Sequence, residues 1–364
     1  MSFTSIPILD LSLAHDPATK PQLLTDLRHA LLEVGFLYIR NTGISPSLIS
    51  EVITLGKSFF DLPEDKKLEI EMKNAPSFLG YNKLGMEITR FKTDWREQID
   101  LSTPHPVPGP DDPLYRNLLA PNQWPDPDAL PRFREVYEEY MTRMGDMSME
   151  FTSIIAEAIG LPTDAFAQFF DEAQQHKLKI VKYPDLAELG VQGEVQGVGP
   201  HKDSMLTSYL LQASHHRGLQ VQNADGKWVD CPPIDGTVQS PARGSGARYS
   251  IPFFQGVSYD ATFESMDVPE SVKQLRADIL ERRAGQRLDD IEFTFIKGMW
   301  SRLGEATLMN RIKSHPDVGE RWYPELLKKI RADQADEAAR FAAKEAASSI
   351  SAPISAQPPS IQAH

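Results

Sequence analysis

Five segments decide the fold: LKIVKYP (178–184), MLTSYLLQA (205–213), GLQVQN (218–223), KWVD (227–230) and RYSIPFF (248–254). Each is short and rich in β-branched and aromatic residues. Gly, Pro, Asn and Asp separate them, which is the pattern of an antiparallel β module over 178–260. Within it, ADGKW (224–228) reads as a turn between two strands, with Asp225-Gly226 at its tip.

The sequence before the module is mostly helical. IPILDL (6–11) predicts a short strand. QLLTDLRHALLEVG, opened by Pro21, places Leu23, Leu24, Leu27, Ala30, Leu31 and Val34 at three- and four-residue steps and stops at Gly35. FLYIR (36–40) predicts another strand. A second helix follows Ser45-Pro46, with Leu48, Val52, Leu55 and Phe59 on one face. Residues 102–131 carry many Pro, Asp and Asn and predict a long loop. Residues 132–159 form the most periodic helix, ended by Gly160 and Pro162. Helical texture returns at 268–283 and 299–313, and 331–364 reads as a helix fraying into a disordered tail. The chain thus divides into an N-terminal helix-and-strand region (1–130), a packing helix and connector (131–177), the β module (178–260), C-terminal helices (261–330) and the tail (331–364).

Composition narrows the function. The 364 residues carry a net charge of −13, one Cys and nine His. One cysteine, Cys231, excludes a disulfide framework and CxxC zinc sites. The acidic balance disfavours nucleic acid as a partner. No apolar run approaches the roughly 18 residues of a membrane span, and the N-terminus lacks the basic and apolar regions of a secretory signal. A soluble, cytoplasmic, monomeric protein acting on a small molecule is expected.

Two spots carry candidate chemistry. In GPHKD (199–203), His201 and Asp203 lie two apart before an apolar strand. At a strand edge that spacing puts an imidazole and a carboxylate on one side, within reach of one metal ion. A polar turn before a strand fits the same letters. In RYSIPFF, Arg248 and Ser250 share a strand face, so a guanidinium and a hydroxyl can grip a carboxylate; a surface arginine at a strand end is the alternative. Tyr183 offers a phenol to the same anion, or packs as a half-buried core tyrosine.

Taken together and in order, these pieces resemble the iron(II)/2-oxoglutarate-dependent oxygenases, in the branch of isopenicillin N synthase. The resemblance covers roughly residues 5–325. It rests on IPILDLS, EVGFLYIRNTGIS (33–45), FFDLPEDKK (59–67), Gly80-Tyr81, DWREQIDL (94–101), LKIVKYP, GPHKDSMLTSYL, RGLQVQNADGKWVDCPPIDGT (217–237) and RYSIPFF. It implies an α+β fold: a double-stranded β-helix, or jelly roll, flanked by helices. It implies that His201 and Asp203 are iron ligands, that Arg248 and Ser250 hold the distal carboxylate of 2-oxoglutarate, and that Tyr183 supports this co-substrate. Fe(II), 2-oxoglutarate and O₂ would then oxidise a small organic molecule, in secondary metabolism by resemblance. Hydroxylation is the default outcome, with desaturation and ring closure as variants. Substrate contacts would come from Phe78–Tyr81, 94–101 and 299–313.

One departure matters. The resemblance implies a third ligand, a His followed by Arg, on a strand about ten residues before R-x-S. Here the sequence passes from Ile234-Asp235-Gly236-Thr237 through Val238-Gln239-Ser240-Pro241 almost straight to Arg248, which lies only 47 residues after His201. The shortfall is about two strands, roughly twenty-five residues with their turns. His215 and His216 follow an apolar strand spanning about 25 Å, out of reach of the roughly 2 Å bonds a metal makes. They read as a solvated hairpin tip, His315 as a helix-terminus residue and His176 as an exposed one. The chain is therefore read either as an oxygenase or as an inactive homologue, a pseudoenzyme or mis-spliced product that keeps the Arg248/Ser250 anion pocket.

Overall fold

The computed structural model describes residues 2–89, 92–172, 174–185, 197–203, 205–234, 246–262 and 300–335, with a few isolated positions between 270 and 281. The segment 235–240, most of the helix expected at 268–283 and the tail beyond 335 lie outside the described residues.

The N-terminal expectations hold closely. β1 (Ile8–Asp10) pairs in parallel with β2 (Tyr38–Arg40). Between them α1 (Lys20–His29) continues as a wider π turn through Val34 and ends at Gly35, φ 82°. α2 (Pro46–Phe60) begins where the Ser45 side chain accepts from the Leu48 amide, with Pro46 at the first helical position. The short α3 (Glu64–Leu68) follows. α4 (Phe133–Ala158) is the long periodic helix, and its apolar face is buried along its length.

Five strands build the main sheet. β7 (Lys177–Tyr183), β8 (Thr207–Gln212) and β11 (Arg248–Gln255) are segments expected from sequence. β3 (Gly80–Asn82) and β6 (Glu97–Ser102) were not expected as strands; they join this sheet from the N-terminal region. The order is β3-β6-β7-β11-β8, every neighbour antiparallel. The sheet therefore takes strands from both 1–130 and 178–260. Two smaller pairs stand apart: β4 (Ile88–Thr89) with β5 (Lys92–Thr93), and β9 (Gln220–Gln222) with β10 (Trp228–Asp230). The turn of the latter runs over Asn223–Lys227, with Asp225-Gly226 inside it.

One face of the sheet packs on the helices. Ile99, Leu101, Leu178, Ile180, Ile251 and Phe253 are all buried in a core with Leu27, Val52, Phe59, Phe133 and Tyr137. Phe253 is fully buried between the rings of His176 and Tyr209, so its truncation to Ala is expected to cost about 3–5 kcal/mol. A second core joins α5 (Leu303–Ser314), α6 (Pro316–Trp322) and α7 (324–335) to Phe78, Tyr115 and Leu118. Residues 331–335 continue α7, anchored by the buried Ile330, as the helical start of the stretch expected to fray.

Candidate metal and co-substrate site

The other face of the sheet carries the polar side chains. Along β7 the period-two alternation turns Lys177, Lys179, Val181 and Tyr183 to this inner face, with Leu178 and Ile180 toward the helices. Register then sets neighbours. Arg248 lies opposite Tyr183, and Ser250 lies between Val181 and Gln212. Gln98 and Asp100 of β6 face Val181 and Lys179.

The three residues expected to hold the co-substrate are thus adjacent. The Arg248 guanidinium sits 5.0 Å from the Tyr183 ring centroid. Arg96 hydrogen-bonds the Tyr183 phenol. A Cβ at Gly197 would stand 2.5 Å from the Tyr183 ring, so the chain leading to His201 can lie on this ring only because residue 197 has no side chain. The Gly246 amide donates to Asp185 Oδ2 at 3.0 Å and ties the approach to Arg248 to the end of β7.

His201 and Asp203 precede β8 in non-strand backbone rather than on a strand edge, and their side chains still converge: Nε2 and Oδ1 are 3.5 Å apart. His201 Nδ1 lies 2.8 Å from the Gly199 carbonyl. A carbonyl only accepts, so Nδ1 carries hydrogen and the lone pair of the neutral ring is on Nε2, facing Asp203. Once the ring is protonated, its Nε2–H donates to Asp203, and this raises the His201 pKa. Burial pushes the Asp203 carboxyl up, but hydrogen bonds from His201 and Ser208 outweigh it, and its pKa lies below the usual value. Two donors on one ion at right angles, with bonds of about 2.1 Å, stand about 3 Å apart. The pair therefore fits two adjacent positions on a ferrous ion with a small adjustment.

No third donor joins them among the described residues, where no group of three His, Cys, Asp or Glu is placed to hold a metal. His216 lies beyond β8, with its Nδ1 3.2 Å from the Ser214 hydroxyl. His176 is not exposed as expected. It is buried on the helix side of the sheet against Phe253, and burial pushes its pKa down to about 4. His315 joins α5 to α6 as a helix-terminus residue; it is fully buried, also pushed by burial to about 4, and lies 3.8 Å from Glu87.

Around this site lies a buried charge network that the sequence reading did not single out. Arg96 binds Glu87 at 2.8 Å and Asp94 at 3.2 Å; Lys179 lies 3.5 Å from both Glu87 and Asp100; Arg311 of α5 lies 3.6 Å from Asp100. The signal was present: EQIDLS and KLKIVKY alternate charged and apolar residues on strands buried on both faces. Phe78, residues 94–101 and the end of 299–313, named from sequence as substrate-contacting segments, meet around this network: Arg311 reaches Asp100, and the Phe78 and His315 rings lie 6.1 Å apart.

Among the described residues no helix is long and apolar enough to cross a membrane. Residues 6–127 match the family described as non-haem dioxygenase in morphine synthesis N-terminal, and residues 175–246 match the 2OG-Fe(II) oxygenase superfamily. The chain is 71% identical to the 2-oxoglutarate-dependent dioxygenase frbJ of Dothideomycetidae sp. (strain 11243), over 93% of this chain and 97% of that one. It is 34% identical to a 2-oxoglutarate-dependent dioxygenase of Gibberella zeae, over 92% and 95%. It is 30% identical to a homoarginine-6-hydroxylase of Oryza sativa subsp. japonica, over 65% and 74%. Among solved structures, a full-length Neurospora crassa protein in complex with alpha-KG and thymine superposes with a TM-score of 0.59 at 22% identity, covering 77% of this chain and 96% of that one; this likeness bears on fold, the jelly roll expected from sequence.

The comparison with frbJ also measures the shortfall. It runs over 362 positions, yet 93% of a 364-residue chain is about 339 residues, so about 23 positions have a residue in the relative and none here. That is the size of the gap inferred between Asp203 and Arg248. Fe(II), 2-oxoglutarate and O₂ are the reactants of this family, and the chain belongs to it: it is a member of the Fe(II)- and 2-oxoglutarate-dependent oxygenases.

Proposed function

We propose that this chain oxidises a small organic molecule, with hydroxylation as the default outcome, and that His201 and Asp203 are its iron ligands while Arg248, Ser250 and Tyr183 hold 2-oxoglutarate. One observation carries the reading: His201 and Asp203 converge to 3.5 Å, and the chain leading to them lies at Gly197 on the ring of Tyr183, the register partner of Arg248.

Each side chain has a task its geometry supports. The Gly199 carbonyl holds the imidazole in the tautomer with a free Nε2 lone pair. Ser208 orients the Asp203 carboxylate. Arg248 neutralises the far carboxylate of the co-substrate, with the Ser250 hydroxyl beside it and Tyr183 beneath the guanidinium. Ile251 and Phe253 seal the opposite face of the sheet and exclude water from behind. When bound, iron and 2-oxoglutarate supply the oxidation: O₂ is consumed, 2-oxoglutarate leaves as succinate and CO₂, and the second oxygen atom goes to the substrate.

The test is succinate release with Fe(II), ascorbate and 2-oxoglutarate. Turnover that disappears in His201→Ala supports the reading; turnover that survives it rejects the ligand assignment. A second reading, a non-catalytic binder of small dicarboxylic acids, is favoured by one observation, that no third donor stands among the described residues. Calorimetry separates the two: 2-oxoglutarate binding that needs Mn(II) supports the oxygenase, and binding indifferent to metal supports the binder. The relatives and neighbours are named for homoarginine and thymine, which share little chemistry, so the substrate class has to be sought in this chain's own side chains.

A further inference from the structure

We propose that Lys177, with Arg311 and Tyr259 beside it, is the anchor for a carboxylate of the organic substrate, and that the substrate is a small carboxylic acid. The proposal rests on the oxygenase reading above.

Lys177 is 3% exposed on the inner face of β7, and its Nζ has no hydrogen-bond partner among the described residues. Buried cations are otherwise paired or charge-shifted, because leaving water without a counter-charge is expensive. The nearby carboxylates are shared with other cations: Glu87 with Arg96 and Lys179, and Asp100, whose Oδ1 is itself without a hydrogen bond and which attracts Lys177 as well, with Lys179 and Arg311. Within this network Lys177 is the cation left over. Burial lowers its pKa, and Arg311 lowers it further.

A second orphan feels the same arginine. Tyr259 is 1% exposed, its hydroxyl has no partner among the described residues, and Arg311 is the charged group it feels. Arg311 itself is 3.6 Å from Asp100 Oδ1, beyond hydrogen-bond length. Lys177 and Tyr259 thus each keep a buried donor without a partner, and both feel Arg311. Such a set matches one carboxylate, whose two oxygens accept several charge-assisted hydrogen bonds.

Position assigns that carboxylate to the substrate rather than to 2-oxoglutarate. Along the inner face of β7, Tyr183 and Arg248 mark one end and Lys177 the other, about 20 Å apart at 3.3 Å per residue. Asp203 lies toward the Lys177 end: it feels Lys179 and hydrogen-bonds Ser208, whose strand partner Phe254 also pairs with Lys177. The proposed iron pair and Lys177 therefore share the end of the sheet far from Arg248, and an acid held by Lys177 lies beside the metal rather than on the co-substrate's carboxylate clamp.

The experiment uses the full chain and acetate as the smallest carboxylate, with acetamide and chloride as controls, read by melting temperature. Acetate is expected to raise Tm with concentration in the parent, as a ligand of the native state does. Acetamide and chloride are not. Lys177→Met, which removes a leftover buried charge, is expected to fold and to weaken the apparent acetate affinity about ten-fold or more. Tyr259→Phe, which removes one oxygen, is expected to weaken it less. Affinity for 2-oxoglutarate with Mn(II) is expected to be unchanged in Lys177→Met. Equal acetate effects in parent and Lys177→Met, or a matching loss of 2-oxoglutarate affinity, overturn the proposal. A parent that binds acetate through Lys177 but never binds 2-oxoglutarate overturns the oxygenase reading, and the substrate role with it.

Discussion

Arg248 and Tyr183 are register partners across β11 and β7, and the guanidinium of one lies 5.0 Å from the ring centroid of the other. The ring face holds the guanidinium by cation–π attraction without occupying its N–H groups, which stay available for two parallel bonds to a carboxylate. Lysine can reproduce the charge but not the planar fork. Arg248→Lys is expected to weaken 2-oxoglutarate binding about 10- to 100-fold, and Tyr183→Phe, which keeps the ring, only a few-fold. Calorimetry with Mn(II) present checks both. Equal affinities for parent and Arg248→Lys would remove Arg248 from the site.

Gly197 couples that proposed anchor to the proposed iron pair, His201 and Asp203. Its missing Cβ is what lets the approach to His201 cross the Tyr183 ring, and any side chain would meet ring carbon at 2.5 Å. Tyr183 cannot yield easily, held by Arg96 on one side and Arg248 on another. Gly197→Ala is therefore expected to move the His201 approach and lower Mn(II) affinity several-fold, with a stability change of about 1 kcal/mol or less, because the site is at the surface end of the sheet. Titration with Mn(II) followed by urea unfolding separates the two effects.

Two buried histidines set the acid side of the stability curve. Burial pushes His176 and His315 down from about 6.5 to about 4. Both are neutral in the folded chain, while the unfolded chain protonates them below about pH 6.5. The unfolded state then binds more protons, so stability rises with pH between 4 and 6.5 and is lost as pH falls. At pH 5 the loss is about 2 kcal/mol for each histidine. The urea midpoint is expected to drop from pH 7 to pH 5, and the slope to flatten in the double variant His176→Leu, His315→Leu.

Much of this was legible in the chain. The strands β7, β8 and β11 read directly because β-branched and aromatic residues sit between Gly and Pro breaks, and α4 because its apolar residues keep helical steps over the whole span. H-x-D and R-x-S supplied the candidate site residues, but only register could show that Tyr183 faces Arg248. Three things were hidden for a physical reason. β6 carries Glu97, Gln98 and Asp100, polar residues that ordinarily mark solvent; here the sheet buries both its faces, with Lys179 answering Asp100 on the inner one and Lys67 and Lys182 answering Glu97 on the helix side. His176 looked like a loop residue because the Gln175–Lys177 stretch is polar, yet its ring turns into the helix-side core. Lys177 gave no signal, since an unpartnered cation is visible only once its neighbours are placed.

The outer edge of β8 ties fold to chemistry. β8 ends the five-stranded sheet, with β11 on one side and no strand on the other among the described residues. Beside it Leu206 and Leu210, 40% and 39% exposed, stand on the inner face with Ser208. An apolar, unpaired edge invites pairing with another chain unless something covers it. The relative frbJ has about 23 residues that this chain lacks, enough for two strands and their turns. A strand laid on β8 would cover those leucines, and its partner would return toward Arg248 past the metal pair, where a third donor is wanted. Inserting a two-strand segment of about 23 residues between Thr237 and Arg248, with a histidine on its returning strand, is therefore expected to do two things at once. Mn(II) affinity should rise about 100-fold or more, since even outer contacts to metal ligands are worth 10–100-fold. Concentration-dependent association, measured by sedimentation, should fall as the edge is covered. An insertion that covers the edge without raising metal affinity would show that the added strands serve the sheet and not the iron.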